Sequence, residues 1–316
     1  MSIISYHDCP KNKNLDSIFT GSELPHTGSS QIMIGHLDNE WYESLTGYDA
    51  NFLGNNYAVP LPKLRSDLAQ DIAPLTTGNT VLDYTHFSIV MSKSRRLAFY
   101  TAVNINGEQL VDLQRNAEKW YFDPRLDRIY QCGPELYDNN DFDRGHLVRR
   151  LDPVWGELAQ KANKDTFHFT NCSPQHKALN QKTWLDLEEY ILKNADAFDL
   201  KVSVFTGPVF RTEDMLYRGI KIPAEFWKIV VMVKDDGNLS ATAYLQTQKS
   251  LIMDFEFAFG SYKTYQVAIT NIENLTGLDF GDLRNHDPFI LNQISVAERA
   301  ETAIAHVINT SSDIIL

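Results

Sequence analysis

The sequence predicts an α+β domain with a central mixed or antiparallel sheet flanked by helices. Two kinds of segment predict it. β-rich apolar runs come in pairs around short polar turns, and longer stretches repeat apolar residues at helical spacing. No internal repeat is visible.

Taken in order, residues 1–75 read as a loop-rich extension, with Gly21, Gly28, Gly35, Gly47, Gly54 and the Pro60-Leu61-Pro62 stretch. Residues 76–285 hold the domain proper. Within it, 82–91 and 95–106 form a hairpin around Ser92-Lys93-Ser94, and 166–171 form a short strand. The spacing of Leu179, Trp184, Leu187, Tyr190 and Ile191 predicts a helix over 177–196. Val202–Val209 is strand-like, and Trp227–Lys234 with Leu239–Gln246 make a second hairpin through Asp236-Gly237. Residues 263–275 read as helical. So does a C-terminal segment, 286–316, in which Ile294, Val296, Ala300, Ala303, Ile304 and Val307 form an apolar stripe over 294–308. A stripe that broad must be covered by the domain or by a second copy, so a homodimer through this end is expected.

With 43% hydrophobic and 22% charged residues, the 316-residue chain has ordinary globular usage. Its net charge of −12 argues against a protein that simply coats nucleic acid, while leaving room for a local basic groove. Cys9, Cys132 and Cys172 show no CxxC spacing, which argues against disulfide scaffolding and a structural zinc site. The start lacks an apolar h-region, Met1–Lys13 makes a poor transit peptide, and no window is apolar enough to span a bilayer. A cytoplasmic protein without membrane partners is expected.

The most informative residues are Asp143-Arg144-Gly145-His146-Leu147-Val148-Arg149-Arg150. They set a histidine, able to accept a proton at neutral pH, beside three guanidinium groups suited to bidentate phosphate contacts. Proton acceptor plus phosphate clamp points to phosphodiester hydrolysis. Alone, such a run is as readily a solvated basic turn. The segment Asn171-Cys172-Ser173-Pro174-Gln175, followed by Asn180-Gln181-Lys182-Thr183-Trp184-Leu185-Asp186-Leu187-Glu188, tips the balance toward chemistry.

Together these pieces resemble the DNA/RNA non-specific endonucleases, the ββα-metal (His-Me finger) family that includes endonuclease G. That family carries Asp-Arg-Gly-His, then Asn-x-x-Pro-Gln, then Asn-x-x-x-Trp-x-x-Leu-Glu. The likeness extends to Trp120-Tyr121-Phe122-Asp123-Pro124-Arg125, Thr206-Gly207-Pro208, Ile222-Pro223-Ala224-Glu225-Phe226-Trp227-Lys228 and Leu275-Thr276-Gly277-Leu278. It covers residues 80–283.

The resemblance implies a role for each candidate. His146 takes the proton of the attacking water, and Arg144 meets the phosphate. Asn180 is the metal ligand, since a neutral amide oxygen suits hard Mg²⁺, which keeps most of its waters. Mn²⁺ is an alternative. Glu188, two turns on, lies roughly 12 Å along the helix and about 80° round it, where it can hold a metal-bound water. Asn171 either stabilises charge at the phosphate or braces its loop. Arg149, Arg150, Lys119 and Arg115 are candidates to line the substrate groove, whereas His168 and His176 read as ordinary polar residues. One departure stands out: where the family places an arginine four residues after the helix glutamate, this chain has Leu192, with Lys193 beside it.

The expected activity is Mg²⁺-dependent hydrolysis of DNA and RNA, leaving 5′-phosphates. A nucleic-acid-binding or regulatory protein on a degenerate nuclease fold is the alternative, as is a restrained toxin or defence effector. Either form of restraint calls for an inhibitor or activating partner.

Overall fold

A computed structural model of the chain describes residues 32–116, 118–177, 183–248, 264–290, 305–308 and 313–315. Of the elements that build the main sheet and the site, taken in chain order, the first strands are β1 (Leu82–Asp83), β2 (Phe87–Met91), β3 (Ala98–Asn106) and β4 (Phe142–His146). Helix α1 (Ala159–Asp165), strand β5 (Cys172–His176) and helix α2 (Thr183–Ala197) follow. Strands β6 (Lys201–Val209), β7 (Glu225–Val233), β8 (Leu239–Thr247) and β9 (Thr264–Val267) come next. Helix α3 (Ile269–Thr276) and strand β10 (Ala305–Ile308) complete the set.

Eight of these strands form one sheet in the order β10-β9-β8-β7-β6-β3-β2-β1. Every neighbouring pair is antiparallel. Period-two alternation gives the sheet two apolar faces, each with its own core. Phe226 and Val230 face one core, with Val103, Ile105, Val202 and Val204. Trp227, Ile229 and Val231 face the other, with Phe205, Ile269 and Phe280. No helix among the described residues is long and apolar enough to cross a membrane.

What positions the site is an excursion of the chain. Strands β3 and β6 are neighbours in the sheet, yet residues 107–200 intervene, and these carry β4, α1, β5 and α2. Leu147, Val148, Phe167, Phe169, Leu187 and Ile191 seat the excursion on the first core. Its return is pinned where the Gly107 amide donates to the Leu200 carbonyl at 2.9 Å. A methyl group at Gly107 would collide with the Ala195 carbonyl oxygen, so only glycine lets the end of α2 approach β3 so closely.

Residues 32–75 add short elements to this body. Ile34–Gly35 pairs in parallel with Trp120–Tyr121, and Lys63–Leu64 pairs with Leu278–Asp279.

Both hairpins form as expected. The second turns at Gly237, whose φ of 78° is left-handed and favours glycine. Four expectations need correction. The 82–91 run is broken into β1 and β2, because buried Asp165 captures the Thr85 amide at 3.0 Å and its hydroxyl at 2.7 Å. The expected strand 166–171 is a turn ending in a 3-10 helix over Phe169–Asn171, and the strand begins at Cys172. Residues 263–275 are not one helix: Thr264–Val267 joins the sheet beside β8 before α3 starts. The C-terminal helix fails at its end, where Ala305–Ile308 is a strand pairing with β9, with Val307 opposite Tyr265. The rest of that stripe, from Ile294 to Ile304, lies outside the described residues, as does the front of the 177–196 helix at 178–182.

Candidate active site

The site is built on a two-stranded hairpin. Strands β4 and β5 pair antiparallel with Asp143 opposite Gln175, Gly145 opposite Ser173 and His146 opposite Cys172. The pleat puts Arg144 and His146 on one face and Asp143 and Gly145 on the other. Gly145 is required by packing, since a methyl there would run into the buried Gln175 side chain lying across it.

His146 ends β4 and is held by rings. Trp120 lies 5.2 Å away between centroids, and Phe167 meets it edge-on at 5.1 Å. Its Nε2 is buried without a hydrogen-bond partner. Among the described residues no hydrogen bond orients the other ring nitrogen, and the packed Trp120 and Phe167 rings fix the imidazole. Burial, followed by the positive charges of Arg115, Arg144 and Arg150, pushes its pKa down to about 3. The ring is therefore neutral at physiological pH.

The structure gathers three of the predicted arginines around this histidine. Arg144 sits over the Trp120 ring at 5.1 Å and forms no ion pair among the described residues. Arg115 is exposed, with its charge felt at His146. Arg150 contributes its field from a fixed position, donating to Asn163 Oδ1 and to the Leu113 carbonyl, each at 3.0 Å. That makes it first an anchor between the 110s loop and α1. Exposed Lys119 precedes Trp120 in sequence but enters none of these contacts.

Of the two roles expected for Asn171, the contacts of its side chain fit the brace, since the buried amide is fully engaged. The Oδ1 accepts from the Val148 amide at 2.9 Å, and Nδ2 donates to the carbonyls of Val148 and Thr166, both at 3.0 Å. This ties β5 to the segment just after His146 and leaves no amide proton for a phosphate. His168 is structural too, its ring nitrogens 2.8 Å from the Tyr42 hydroxyl and the Asp165 carbonyl.

Glu188 faces the sheet rather than solvent. Its Oε1 lies 3.4 Å from Lys228 Nζ, and its Oε2 lies 3.9 Å from Arg149 Nε. Arg149 also reaches Glu189, at 3.8 Å. Asp152 is buried beside this group, and burial pushes its carboxyl up to about 7. Sequence reasoning gave Lys228 and Asp152 no role. The signal available was a lysine inside the apolar run Phe226-Trp227-Lys228-Ile229-Val230.

Asn180, the expected metal ligand, lies outside the described residues. Among those described, no group of three His, Cys, Asp or Glu side chains could cage an ion.

A ββα unit that carries a histidine at a strand end, ringed by arginines, defines a class of nuclease. The chain belongs to the DNA/RNA non-specific endonuclease family, whose model matches residues 64–287. It is 40% identical over 265 residues to the uncharacterized protein y4fB of Sinorhizobium fredii, covering 77% of this chain and 40% of that protein. It is 30% identical over 181 residues to mitochondrial endonuclease G of Bos taurus, covering 54% of this chain and 58% of the relative. A chain of the EndoG/EndoGI complex shares its fold, with a TM-score of 0.54, 18% identity, and coverage of 71% of this chain and 96% of that one.

Proposed function

We propose that the chain is a divalent-metal-dependent endonuclease that cleaves phosphodiester bonds of both DNA and RNA. The observation that carries this reading is His146, neutral, ring-packed and surrounded by Arg115, Arg144 and Arg150. The unprotonated ring nitrogen takes the proton from an attacking water. Since water is the nucleophile, no 2′-hydroxyl is needed and either sugar is accepted.

Burial first, and then the same arginines, make the unliganded histidine a weak base. A phosphodiester clamped by Arg144 and Arg115 brings negative charge that cancels part of their field, so base strength rises when substrate binds. Arg149 and Arg150 add positive charge to the groove, and Lys119 lies on its rim. Asn180 would hold the ion, Mg²⁺ with Mn²⁺ as the alternative, and Glu188 would act beside it. A bound ion supplies Lewis-acid stabilisation of the departing 3′-oxygen. Asn171 acts through position alone.

A non-specific nuclease needs restraint, so an inhibitor or trigger is part of this reading. The solved relative in complex with EndoGI supports it by analogy. Pairing through the C-terminal region is a further part, checked by light scattering of the full chain. The activity itself is tested with circular DNA and single-stranded RNA in Mg²⁺, in Mn²⁺ and in excess EDTA. Both substrates should be cut with either ion and neither in EDTA, with Asn180→Ala losing most activity. Failure to cut either substrate with any divalent ion would overturn the proposal.

A further inference from the structure

Lys228 stands in the middle of β7 and is 1% exposed. Alternation aims it at the same face as Phe226 and Val230, the core on which α2 lies. Its Nζ donates to Thr206 Oγ1 at 2.8 Å and lies 3.4 Å from Glu188 Oε1. A buried ammonium in a sheet is poorly explained by stability. Removing it from water is costly, and an apolar side chain of similar size commonly packs as well or better. Every other residue from Phe226 to Val233 is apolar.

The neighbouring turn of α2 offers Glu188 no cation of its own. One turn beyond Glu188, this chain carries Leu192, which packs against the core. Lys193 is turned to Glu189, 3.0 Å away. Among the described residues, the Glu188 carboxylate is paired only by Lys228 from the sheet and by Arg149 from the segment after β4. Asp152 shares the same electrostatic neighbourhood. The carboxylate is thus held between two elements that do not belong to its own helix.

We propose that Lys228 is a positioning residue for phosphodiester hydrolysis, fixing the Glu188 carboxylate from the sheet. The inference rests on the reading of Glu188 as acting beside the divalent ion. In this role Lys228 acts through Glu188 rather than by contact with the ion or the nucleic acid.

The test is a cycle of Lys228→Met, Glu188→Gln and the double variant, with Lys228→Arg as the charge-conserving control. Three quantities are read on the full chain: melting temperature without metal, Mn²⁺ affinity without nucleic acid, and kcat and KM for plasmid cleavage. Loss of a residue that orients a metal-site group typically lowers metal affinity or activity about 10–100-fold. Lys228→Met should lose that much in Mn²⁺ affinity and kcat with KM little changed. It should cause no further loss in the Glu188→Gln background, and Lys228→Arg should recover part of it. Should Lys228→Met not fold, Lys228→Gln carries the same expectation. Wild-type kcat and Mn²⁺ affinity in Lys228→Met would overturn the proposal, as would a double variant whose losses multiply. If the wild type cuts no nucleic acid, the endonuclease reading fails separately, and the Mn²⁺ titrations alone decide the role of Lys228.

Discussion

Replacing Asn171 with alanine separates a brace from a catalytic amide. The side chain is buried and makes three hydrogen bonds, to the Val148 amide, the Val148 carbonyl and the Thr166 carbonyl. Truncation removes all three and leaves buried backbone groups unpaired. At about 1 kcal/mol per net hydrogen bond, with an added penalty for the orphaned groups, the cost is roughly 3–5 kcal/mol. That is a large share of a typical stability of about 5–15 kcal/mol. For a urea slope of about 3 kcal/mol/M, the unfolding midpoint should fall by about 1–1.7 M. Asn171→Asp should fare no better, because a carboxylate oxygen would face two carbonyls. The assay pairs urea denaturation with initial cleavage rates at low temperature, normalised to folded protein. A variant of wild-type stability whose turnover collapses would refute the brace and return Asn171 to the phosphate.

Two pH predictions follow from buried groups. Because His146 is held at about 3 by burial and by Arg115, Arg144 and Arg150, the acid limb of kcat/KM should lie below pH 5 rather than near 6.5. A limb at 6.5 would contradict that environment. The linked stability has a definite sign: a depressed histidine favours the fold above its ordinary pKa, and this contribution is lost as pH falls from about 6.5 toward 3. Asp152 behaves in the opposite sense. Its carboxyl, raised to about 7, favours the fold in acid and loses that contribution as pH rises through 7. Asp152→Asn should therefore gain more in melting temperature over the wild type at pH 8 than at pH 4. An equal shift at both values would count against a raised carboxyl.

Local patterns carried much of this structure in the sequence. Paired β-rich runs marked the hairpins β2–β3 and β7–β8, and Asp236-Gly237 marked a turn whose glycine is left-handed. The residues Asp143–His146 stood out through the company of residues 171–175 and 180–188, since alone they read as readily as a solvated turn. Elements governed by distant partners were illegible. Thr85 leaves its strand for Asp165, and Thr264–Val267 becomes a strand only because β8 offers an edge. Asn171 illustrates the same limit at the site: its residue type fits catalysis and bracing alike, and only the positions of Val148 and Thr166 distinguish them. The pairing of Glu188 with Lys228 joins a helix to a strand, and no spacing along the chain announces it.

The central claim is that His146 activates water for phosphodiester hydrolysis, and the most direct measurement is cleavage of circular DNA and of RNA by His146→Ala beside the wild type in Mg²⁺. The account predicts an unchanged unfolding transition together with a loss of turnover of at least roughly 10²–10⁴-fold on both substrates. Near-wild-type cleavage by the folded variant would contradict it.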